Sequence, residues 1–381
     1  PEQLAACTAL TTLNVSSNEF TGALPTDLTQ SLGTLDVSNN LLVGRVPPLA
    51  VTGTCVLHDA AAPTHTRNAF FCPLPAALSP ACTRPPCIAP DTPEYFNVAV
   101  MPFLRDGHAG GARGTFASPC AQYDQQTQGI NGVYCNNGGN RVTHVRLAGM
   151  ALSGTLPSTL ATFSLIQRIY LEHNALRGTL PSTRQAWTRL THFSVQGNML
   201  SGILPDSLGT AFAAMVDFRV GDNRDISGTI PASLATWTSI DTFHMYFTAI
   251  SGSLPTQLSA WTRIRYFLAQ EALLSGPLPS EFGAWSSLLF FDISDNMLTG
   301  ALPWSFAQIS TITSFAVDGN RFRGTVPPLT VSGACTLQDS SLFSTFDTAR
   351  NFFHCPIPPA VAAKCAPTLC AAVGSWGVFY P

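Results

Sequence analysis

Residues 190–205 read L-T-H-F-S-V-Q-G-N-M-L-S-G-I-L-P, and residues 288–303 repeat the pattern as L-L-F-F-D-I-S-D-N-M-L-T-G-A-L-P. The same spacing of apolar residues, Asn, Gly and Pro recurs along most of the chain. Two early copies run from Leu10 to Pro25 and from Leu32 to Pro47. The eight later copies are 24 residues apart, with one step of 26 residues, and end at Pro157, Pro181, Pro205, Pro231, Pro255, Pro279, Pro303 and Pro327. A fixed period of this length is typical of a solenoid, in which each repeat forms one coil of a stack.

Each position of the repeat has a physical role. Phe193 and Val195 alternate with polar neighbours, as in a half-buried strand. The Asn, here Asn198, can satisfy backbone groups of adjacent coils that burial would otherwise leave unpaired. The Gly permits a tight bend, and the Pro restricts the turn that follows. Because one coil cannot bury its apolar face alone, the repeats predict a continuous core along the stack.

Two cysteine-containing blocks are near-duplicates, and each follows a run of repeats. One begins V-P-P-L-A-V-T-G-T-C at residue 46, and the other begins V-P-P-L-T-V-S-G-A-C at residue 326. The end of a repeat array needs a polar cover, so each block predicts a C-terminal cap. We expect two disulfides per cap, although four cysteines allow three connectivities. The predicted pairs are Cys55–Cys72 and Cys82–Cys87 in the first cap, and Cys335–Cys355 and Cys365–Cys370 in the second.

Three cysteines lie outside these blocks. Cys120 and Cys135 precede the longer run of repeats and fit an N-terminal cap closed by one disulfide. Residues 92–94, Thr-Pro-Glu, indicate the start of a cap helix that would extend to Arg105, since Pro suits the first helical position. Cys7 aligns with a column of large apolar residues, so we expect a buried free thiol; a disulfide partner in a preceding segment is the alternative. That column contains Trp187, Phe212, Trp237, Trp261, Trp285 and Ile309.

These features predict four segments. Residues 1–90 are the C-terminal part of a first array with its cap, and residues 91–141 are the N-terminal cap of a second array. Residues 142–328 are eight repeats, and residues 329–381 are the second C-terminal cap and tail. Disulfides in this number favour an extracellular or cell-surface protein. No apolar run approaches the roughly 20 residues of a membrane-spanning helix, so we expect the signal peptide and any anchor to lie outside this sequence.

The composition argues against several function classes. Charged residues make up 11% of the chain and the formal net charge is −3, so no global field attracts nucleic acid or an anionic membrane. The sequence has no G-x-S-x-G, H-E-x-x-H or phosphate-loop motif. The cysteine blocks lack the C-x₂-C spacing of zinc sites. Acidic pairs such as Asp292 and Asp295 fall on repeat positions, so we expect no enzyme activity, no cofactor and no metal.

The unit L-x-x-L-x-L-x-x-N-x-L-x-G-x-L-P resembles the plant-type leucine-rich repeat of receptor-kinase ectodomains and polygalacturonase-inhibiting proteins. Residues 131–147, N-G-V-Y-C-N-N-G-G-N-R-V-T-H-V-R-L, resemble the N-terminal cap of that family, although Ile130-Asn131 replaces its usual Trp. The tandem arrays with Cys-rich blocks are most similar to leucine-rich-repeat surface antigens and proteophosphoglycans of kinetoplastid protozoa.

This resemblance implies a leucine-rich-repeat solenoid, of the α/β class by convention, wound as a right-handed superhelix with disulfide-closed caps. A parallel β-sheet would line the concave face, with second short strands near each S-G-x-L-P segment and 3₁₀ turns on the convex side. It also implies an extracellular or cell-surface binding role.

Outward-facing positions on the concave strands supply candidate ligand-binding residues. The early repeats are basic there, the late repeats carry Asp292, Asp295 and Asp318, and aromatic residues lie between them. Aromatic residues are enriched at protein interfaces. The alternative is a sheet surface whose composition simply drifts. The candidates are Arg146, Arg168, Tyr170, His244, Tyr246, Phe247, Tyr266 and Phe290, and the basic group also includes His144 and His192.

Two further patterns have local consequences. Thr248 and Ala272 replace the repeat Asn in the copies that carry the aromatic residues. Either the stack loosens there to admit a ligand, or the sequence has drifted.

Asn14-Val15-Ser16 is a weak candidate glycosylation site, since three-residue motifs are frequent by chance.

These observations favour a cell-surface or secreted recognition module that binds a protein, peptide or glycan on its concave face. One alternative is a structural coat component whose arrays act as rigid spacers. Another is an inhibitor of a secreted hydrolase, as in the plant inhibitors that the repeats resemble.

Overall fold

The structure is a computed structural model, and it is continuous over residues 163–181 and 187–338. It also describes shorter stretches, namely residues 10–18, 20–22, 24, 32–44, 46–49, 51–57, 68–70, 82–83, 100, 121–122, 132–136, 141–157, 160, 351–365, 370–371 and 379–380. The chain forms two compact units. One comprises Pro1–Gln128 and Gly132–Thr143, and the other comprises Gly129–Asn131 and His144–Pro381. The segment boundaries at residues 90, 141 and 328 stay predictions, and the cap helix at residues 92–105 lies outside the described residues.

The described residues of the first unit form two small parallel sheets. One has the strand order β1-β3-β5-β7 and the other β2-β4-β6. In chain order the strands are β1 (Thr12–Asn14), β2 (Thr21–Gly22), β3 (Thr34–Asp36), β4 (Leu41–Gly44), β5 (Cys55–Val56), β6 (Ala69–Phe70) and β7 (Cys82–Thr83). Leu35, Leu57 and Phe70 are fully buried between them. Two further strands, β8 (Ala121–Gln122) and β9 (Gly132–Cys135), pair in parallel.

A long parallel sheet, here called the main sheet, takes one strand from each coil of the second unit. Strands one repeat apart pair directly, so Phe193 is opposite Phe218 and Phe243 is opposite Phe267. This pairing buries one residue per coil at the same place in the stack. The strands are β10 (Val142–Arg146), β11 (Arg168–Tyr170), β13 (His192–Ser194), β15 (Asp217–Arg219), β17 (Thr242–His244), β19 (Tyr266–Leu268), β21 (Phe290–Asp292), β23 (Ser314–Ala316) and β25 (Cys335–Thr336).

A second sheet of ten strands contains the S-G-x-L-P segments. Gly202, Gly228 and Gly252 have φ values of 83°, 79° and 81°, which explains why Gly recurs at this slot. The strands are β12 (Arg177–Thr179), β14 (Met199–Ile203), β16 (Asn223–Gly228), β18 (Thr248–Gly252), β20 (Leu273–Pro277), β22 (Met297–Gly300), β24 (Arg321–Gly324), β26 (Phe352–His354), β27 (Cys370–Ala371) and β28 (Phe379–Tyr380).

Short helical turns follow the repeat Pro. The 3₁₀ turns in the described residues are Ala232–Thr236, Thr256–Ala260, Ser280–Ala284 and Trp304–Gln308, and each follows a Pro with φ between −63° and −67°. The same part of the chain contains the α-helices α1 (Leu208–Ala211) and α2 (Pro359–Ala362). No helix in the described residues is long and apolar enough to cross a membrane.

The predicted apolar column forms the core of the second unit. Trp187, Trp237, Trp261 and Trp285 are fully buried, and Phe212 and Ile309 are each 1% exposed. Neighbouring rings stack in parallel, with the Trp237 and Trp261 centroids 6.4 Å apart and their planes 7° apart. Each of these four indoles also donates a hydrogen bond to a carbonyl of the preceding coil, as Trp261 Nε1 does to Leu234 O at 2.9 Å. The Cys7 position of this column lies outside the described residues.

The repeat Asn connects adjacent coils as predicted. Asn320 is fully buried, and its Nδ2 donates to Ile293 O of the preceding coil at 2.8 Å. Its Oδ1 accepts from Leu298 N at 2.9 Å. The side chain of Thr248, which replaces Asn, donates within its own coil, from Oγ1 to Met245 O at 2.8 Å. The main sheet nevertheless continues in register past both substituted coils.

The disulfides correct the predicted pairing. The structure contains Cys55–Cys82 and Cys335–Cys365, so all four predicted pairs are wrong: Cys55–Cys72, Cys82–Cys87, Cys335–Cys355 and Cys365–Cys370. The reason is the geometry of the coil. Residues about one coil apart lie side by side in the stack, whereas residues closer in sequence lie at different positions around the coil. Cys55 and Cys82 are direct partners on β5 and β7, with their Cα atoms 4.2 Å apart.

Other predicted cap cysteines are partly described. Cys135 and Cys355 are also disulfide-bonded. The remaining positions, Cys72, Cys87, Cys120 and the side chain of Cys370, lie outside the described residues.

Candidate functional site

The outward side chains of the main sheet form three rows that cross the strands, and we call this surface the strand face. The first row runs His144, Arg168, His192, Asp217, Thr242, Tyr266, Phe290, Ser314, and the second runs Arg146, Tyr170, Ser194, Arg219, His244, Leu268, Asp292, Ala316. A third row, two residues further along, includes Glu172, Gln196, Gly221, Tyr246, Gln270, Ser294 and Asp318. Because the strands are in register, residues at equal repeat positions are neighbours. The structure therefore brings the predicted candidates other than Phe247 onto one surface.

Arginines at the β10–β15 end of the strand face have partners within the chain. Arg146 lies 4.9 Å from the Tyr170 ring centroid, and its Nη2 is 3.8 Å from Glu172 Oε1. Arg219 Nε donates to Asp217 Oδ1 at 2.7 Å. These contacts hold the side chains in place and offset part of the positive charge.

The histidines of the strand face favour their neutral form. Burial, followed by the charges of Arg168 and His192, lowers the pKa of His144 to about 4. Burial and the charge of Arg219 lower the pKa of His244 to about 4. The positive charge predicted for the early repeats therefore comes from arginine alone near neutral pH.

The aromatic residues form two clusters. Tyr266 and Phe290 stack across β19 and β21, with centroids 5.2 Å apart and planes 19° apart. Phe290 is 39% exposed, and the guanidinium of Arg265, which pairs with Asp241, lies 5.5 Å from the Tyr266 centroid.

The second cluster contains His244, Tyr246 and Phe247. The Tyr246 centroid lies 6.0 Å from that of His244 and 5.6 Å from that of Phe247. Phe247 has φ 51°, so it belongs to the turn after β17 and lies at the edge of the strand face. Sequence reasoning missed Gly221: a Cβ there would lie 3.0 Å from the Tyr246 ring, so the Gly makes room for that ring. The sequence signal that could have identified Gly221 is a glycine next to an aromatic residue in the same row of repeat positions.

Several polar atoms of the strand face are buried without a hydrogen-bond partner in the described part of the chain. They are Arg146 Nε, Glu172 Oε2, Gln196 Oε1, His244 Nε2, Gln270 Oε1 and Asp318 Oδ1. An unmet buried polar group costs about 1–3 kcal/mol. These atoms make the strand face a polar surface whose hydrogen-bonding capacity is incompletely used within the chain.

The β21–β23 end is acidic. Asp292 Oδ1 accepts hydrogen bonds from Ser294 N at 3.0 Å and Ser294 Oγ at 2.6 Å. Burial raises the pKa of Asp292, hydrogen bonds from Ser294 oppose that rise, and the charge of Asp318 adds to it. Within the described residues neither carboxylate forms a salt bridge, and no group of His, Cys, Asp or Glu there could hold a metal ion.

Comparisons with known proteins support the repeat assignment. The family model described as Leucine Rich Repeat matches residues 9–30 and 189–211. The receptor kinase HAESA of Arabidopsis, solved with the peptide hormone IDA and the co-receptor SERK1, has a similar structure. It is 19% identical with a TM-score of 0.53, over 95% of this chain and 61% of the receptor. The fold is a leucine-rich-repeat solenoid.

Two other solved structures match with lower TM-scores. The plant peptide hormone receptor RGFR1, in complex with RGF2, is 17% identical with a TM-score of 0.46, over 95% of this chain and 51% of the receptor. A plant ice-binding protein is 17% identical with a TM-score of 0.45, over 59% of this chain and 78% of its own. Among curated proteins no relative matches the sequence. The solenoid thus spans about half to three fifths of the two receptors.

Proposed function

We propose that the strand face is a recognition surface that binds an extended segment of a protein or peptide outside the cell. The observation that carries this proposal is the pair of aromatic clusters on a sheet where six buried polar atoms have no hydrogen-bond partner among the described residues. Aromatic side chains supply contact area at little entropic cost, and unmet polar atoms supply directional contacts. Two disulfides at the ends of the sheets fit an extracellular site of action.

The solenoid architecture is compatible with this role. The HAESA ectodomain, which has the same fold, was solved with a peptide hormone and a co-receptor. At 19% identity this likeness concerns the fold alone. The proposed ligand of the present solenoid is therefore argued from its own strand face. A glycan ligand, a location of the strand face on a concave surface, and the likeness to kinetoplastid surface antigens stay predictions from the sequence. Glycosylation at Asn14, whose side chain is exposed at the end of β1, has the same standing.

Binding to a random-peptide display library tests the proposal. The triple variant Tyr246→Ala/Tyr266→Ala/Phe290→Ala removes one or two rings from each cluster, and we expect at least a tenfold loss of affinity for the selected peptides. The melting temperature should change little, because these side chains are at least partly exposed.

A matched control removes three exposed apolar side chains that lie outside the strand face. Met199, Ile203 and Trp304 are 53%, 57% and 62% exposed, so Met199→Ala/Ile203→Ala/Trp304→Ala should keep the affinity. Equal binding by both triple variants, or failure to enrich any peptide, would contradict the proposal. Failure to enrich would favour the rigid-spacer alternative, whereas inhibition of a polygalacturonase or protease in a direct assay would favour the inhibitor alternative.

A further inference from the structure

The strand face has an unbalanced charge distribution. At the β10–β15 end, Arg146 and Arg219 each lie beside an acidic partner. At the β21–β23 end, Asp292 and Asp318 have no such partner among the described residues. Among the described residues, the chain therefore offsets part of the charge at one end of this surface and leaves two carboxylates without an ion-pair partner at the other.

Small side chains open a space beside these carboxylates. Phe290 and Asp292 on β21 are opposite Ser314 and Ala316 on β23. The next strand, β25, presents Thr336 opposite Ala316. With adjacent strands about 4.8 Å apart, the backbones of β21 and β25 on either side of β23 are about 10 Å apart. We call the surface formed by Phe290, Asp292, Ser314, Ala316 and Asp318 the acidic notch.

An aromatic ring borders the notch and adds to its preference for a cation. Tyr266 stacks on the side of Phe290 that faces β19, which leaves the other side of the Phe290 ring toward Ser314 of β23. A cation within about 6 Å of an aromatic centroid is attracted by the ring quadrupole. Carboxylates and a ring face on neighbouring strands together suit a guanidinium or ammonium group.

We propose that the acidic notch holds the cationic side chain of an arginine or lysine in an extended peptide that crosses the strand face. This inference rests on the proposed function and specifies its ligand. The centre of the notch lies over β23 and Tyr266 lies on β19, two strands or about 10 Å away. An extended peptide in the polyproline II conformation rises about 3.1 Å per residue with three residues per turn, so an apolar residue three positions from the cationic one would lie on the same face and reach Tyr266.

The charge of the notch supports this assignment. The raised pKa of Asp292 has burial as its main cause, with the neighbouring Asp318 charge as a further one. A bound cation would relieve both costs, because it pairs with the carboxylates and replaces their lost hydration.

The test compares synthetic nine-residue peptides that contain an aromatic residue three positions from Arg, Gln or Glu. Dissociation constants are measured on the full chain and on Asp292→Asn/Asp318→Asn. Asn at position 292 keeps an oxygen that accepts from Ser294, so the local fold is retained. We expect the Arg peptide to bind at least tenfold more tightly than the Gln peptide, and the Glu peptide to bind most weakly. The double variant should abolish the Arg–Gln difference.

A charge-matched control separates a local effect from a general one. Asp206 and Asp225 are exposed and lie in a turn and in the second sheet, so Asp206→Asn/Asp225→Asn should keep the preference for Arg. Equal binding of the Arg and Gln peptides, or an equal loss in both double variants, overturns the assignment of the notch and leaves the proposed function intact. Failure of every peptide to bind, together with failure of the library selection, overturns both.

Discussion

Replacing one asparagine of the repeat tests how the coils are held together. Asn296 is 7% exposed, and its side chain forms four hydrogen bonds. Its Nδ2 donates to Ala269 O, Ser294 O and Ile293 O at 2.9, 3.0 and 3.1 Å. Its Oδ1 accepts from Leu274 N at 2.9 Å. Two of these bonds connect to the preceding coil, so Asn296→Ala leaves a buried N–H and a buried C=O without their side-chain partner.

The expected loss follows from those two groups. Each unmet buried group costs about 1–3 kcal/mol, and a carbonyl with two lone pairs is the less affected of the two. We therefore expect Asn296→Ala to lower the free energy of unfolding by about 2–4 kcal/mol. Urea unfolding followed by tryptophan fluorescence measures this change, and amide hydrogen exchange at Leu274 should accelerate in the same variant.

Two further variants separate hydrogen bonding from volume. Asn296→Asp keeps the size of the side chain but directs a carboxylate oxygen at three carbonyl oxygens, so it should destabilise at least as much as Ala at pH 7. Thr262→Ala, at an exposed position, should stay within about 0.5 kcal/mol of the parent chain. A loss below about 0.5 kcal/mol for Asn296→Ala, or a harmless Asn296→Asp, would refute the role assigned to this side chain.

Three other predictions follow from the core and the strand face. Since the pKa of His244 is about 4 in the fold and about 6.5 when unfolded, its contribution to stability is complete above pH 6.5 and lost as the pH falls to about 4. That loss approaches 3 kcal/mol. The free energy of unfolding, measured against pH, should therefore fall less steeply at acid pH for His244→Gln than for the control His173→Asn. Trp261→Ala should cost about 3–5 kcal/mol in urea unfolding, because a fully buried ring is lost from the stack. Gly221→Ala should displace the Tyr246 ring and weaken binding of the library-selected peptides, with little change in melting temperature.

Each of these has an outcome that contradicts it. An equal fall in the unfolding free energy at acid pH for the two histidine variants would show that His244 is not held neutral by burial. A loss under about 1 kcal/mol for Trp261→Ala would mean that the ring is not part of a close-packed column. Unchanged peptide affinity in Gly221→Ala would exclude Tyr246 as a ligand contact.

The coil itself was predictable from the sequence. The positions of Asn198, Gly202 and the Trp261 column were each assigned correctly. Every repeat places the same position in the same environment, so a residue type that recurs at that position indicates what the environment is. Strand, bend and turn are local consequences of spacing and of Gly and Pro conformation. Burial of the column follows once the coils stack.

The cysteine pairs and the details of the strand face could not be predicted in this way. Cys55 pairs with Cys82 because one coil brings the chain back beside the preceding coil. A prediction that pairs cysteines close in sequence does not take this into account. The low pKa of His244, the room that Gly221 makes for Tyr246, and the approach of Asp318 to Asp292 all depend on neighbours from adjacent coils. The sequence by itself determined the solenoid, since repetition encodes it. Only the tertiary structure decided which non-repeating side chains meet, because those contacts arise from stacking and occur once each.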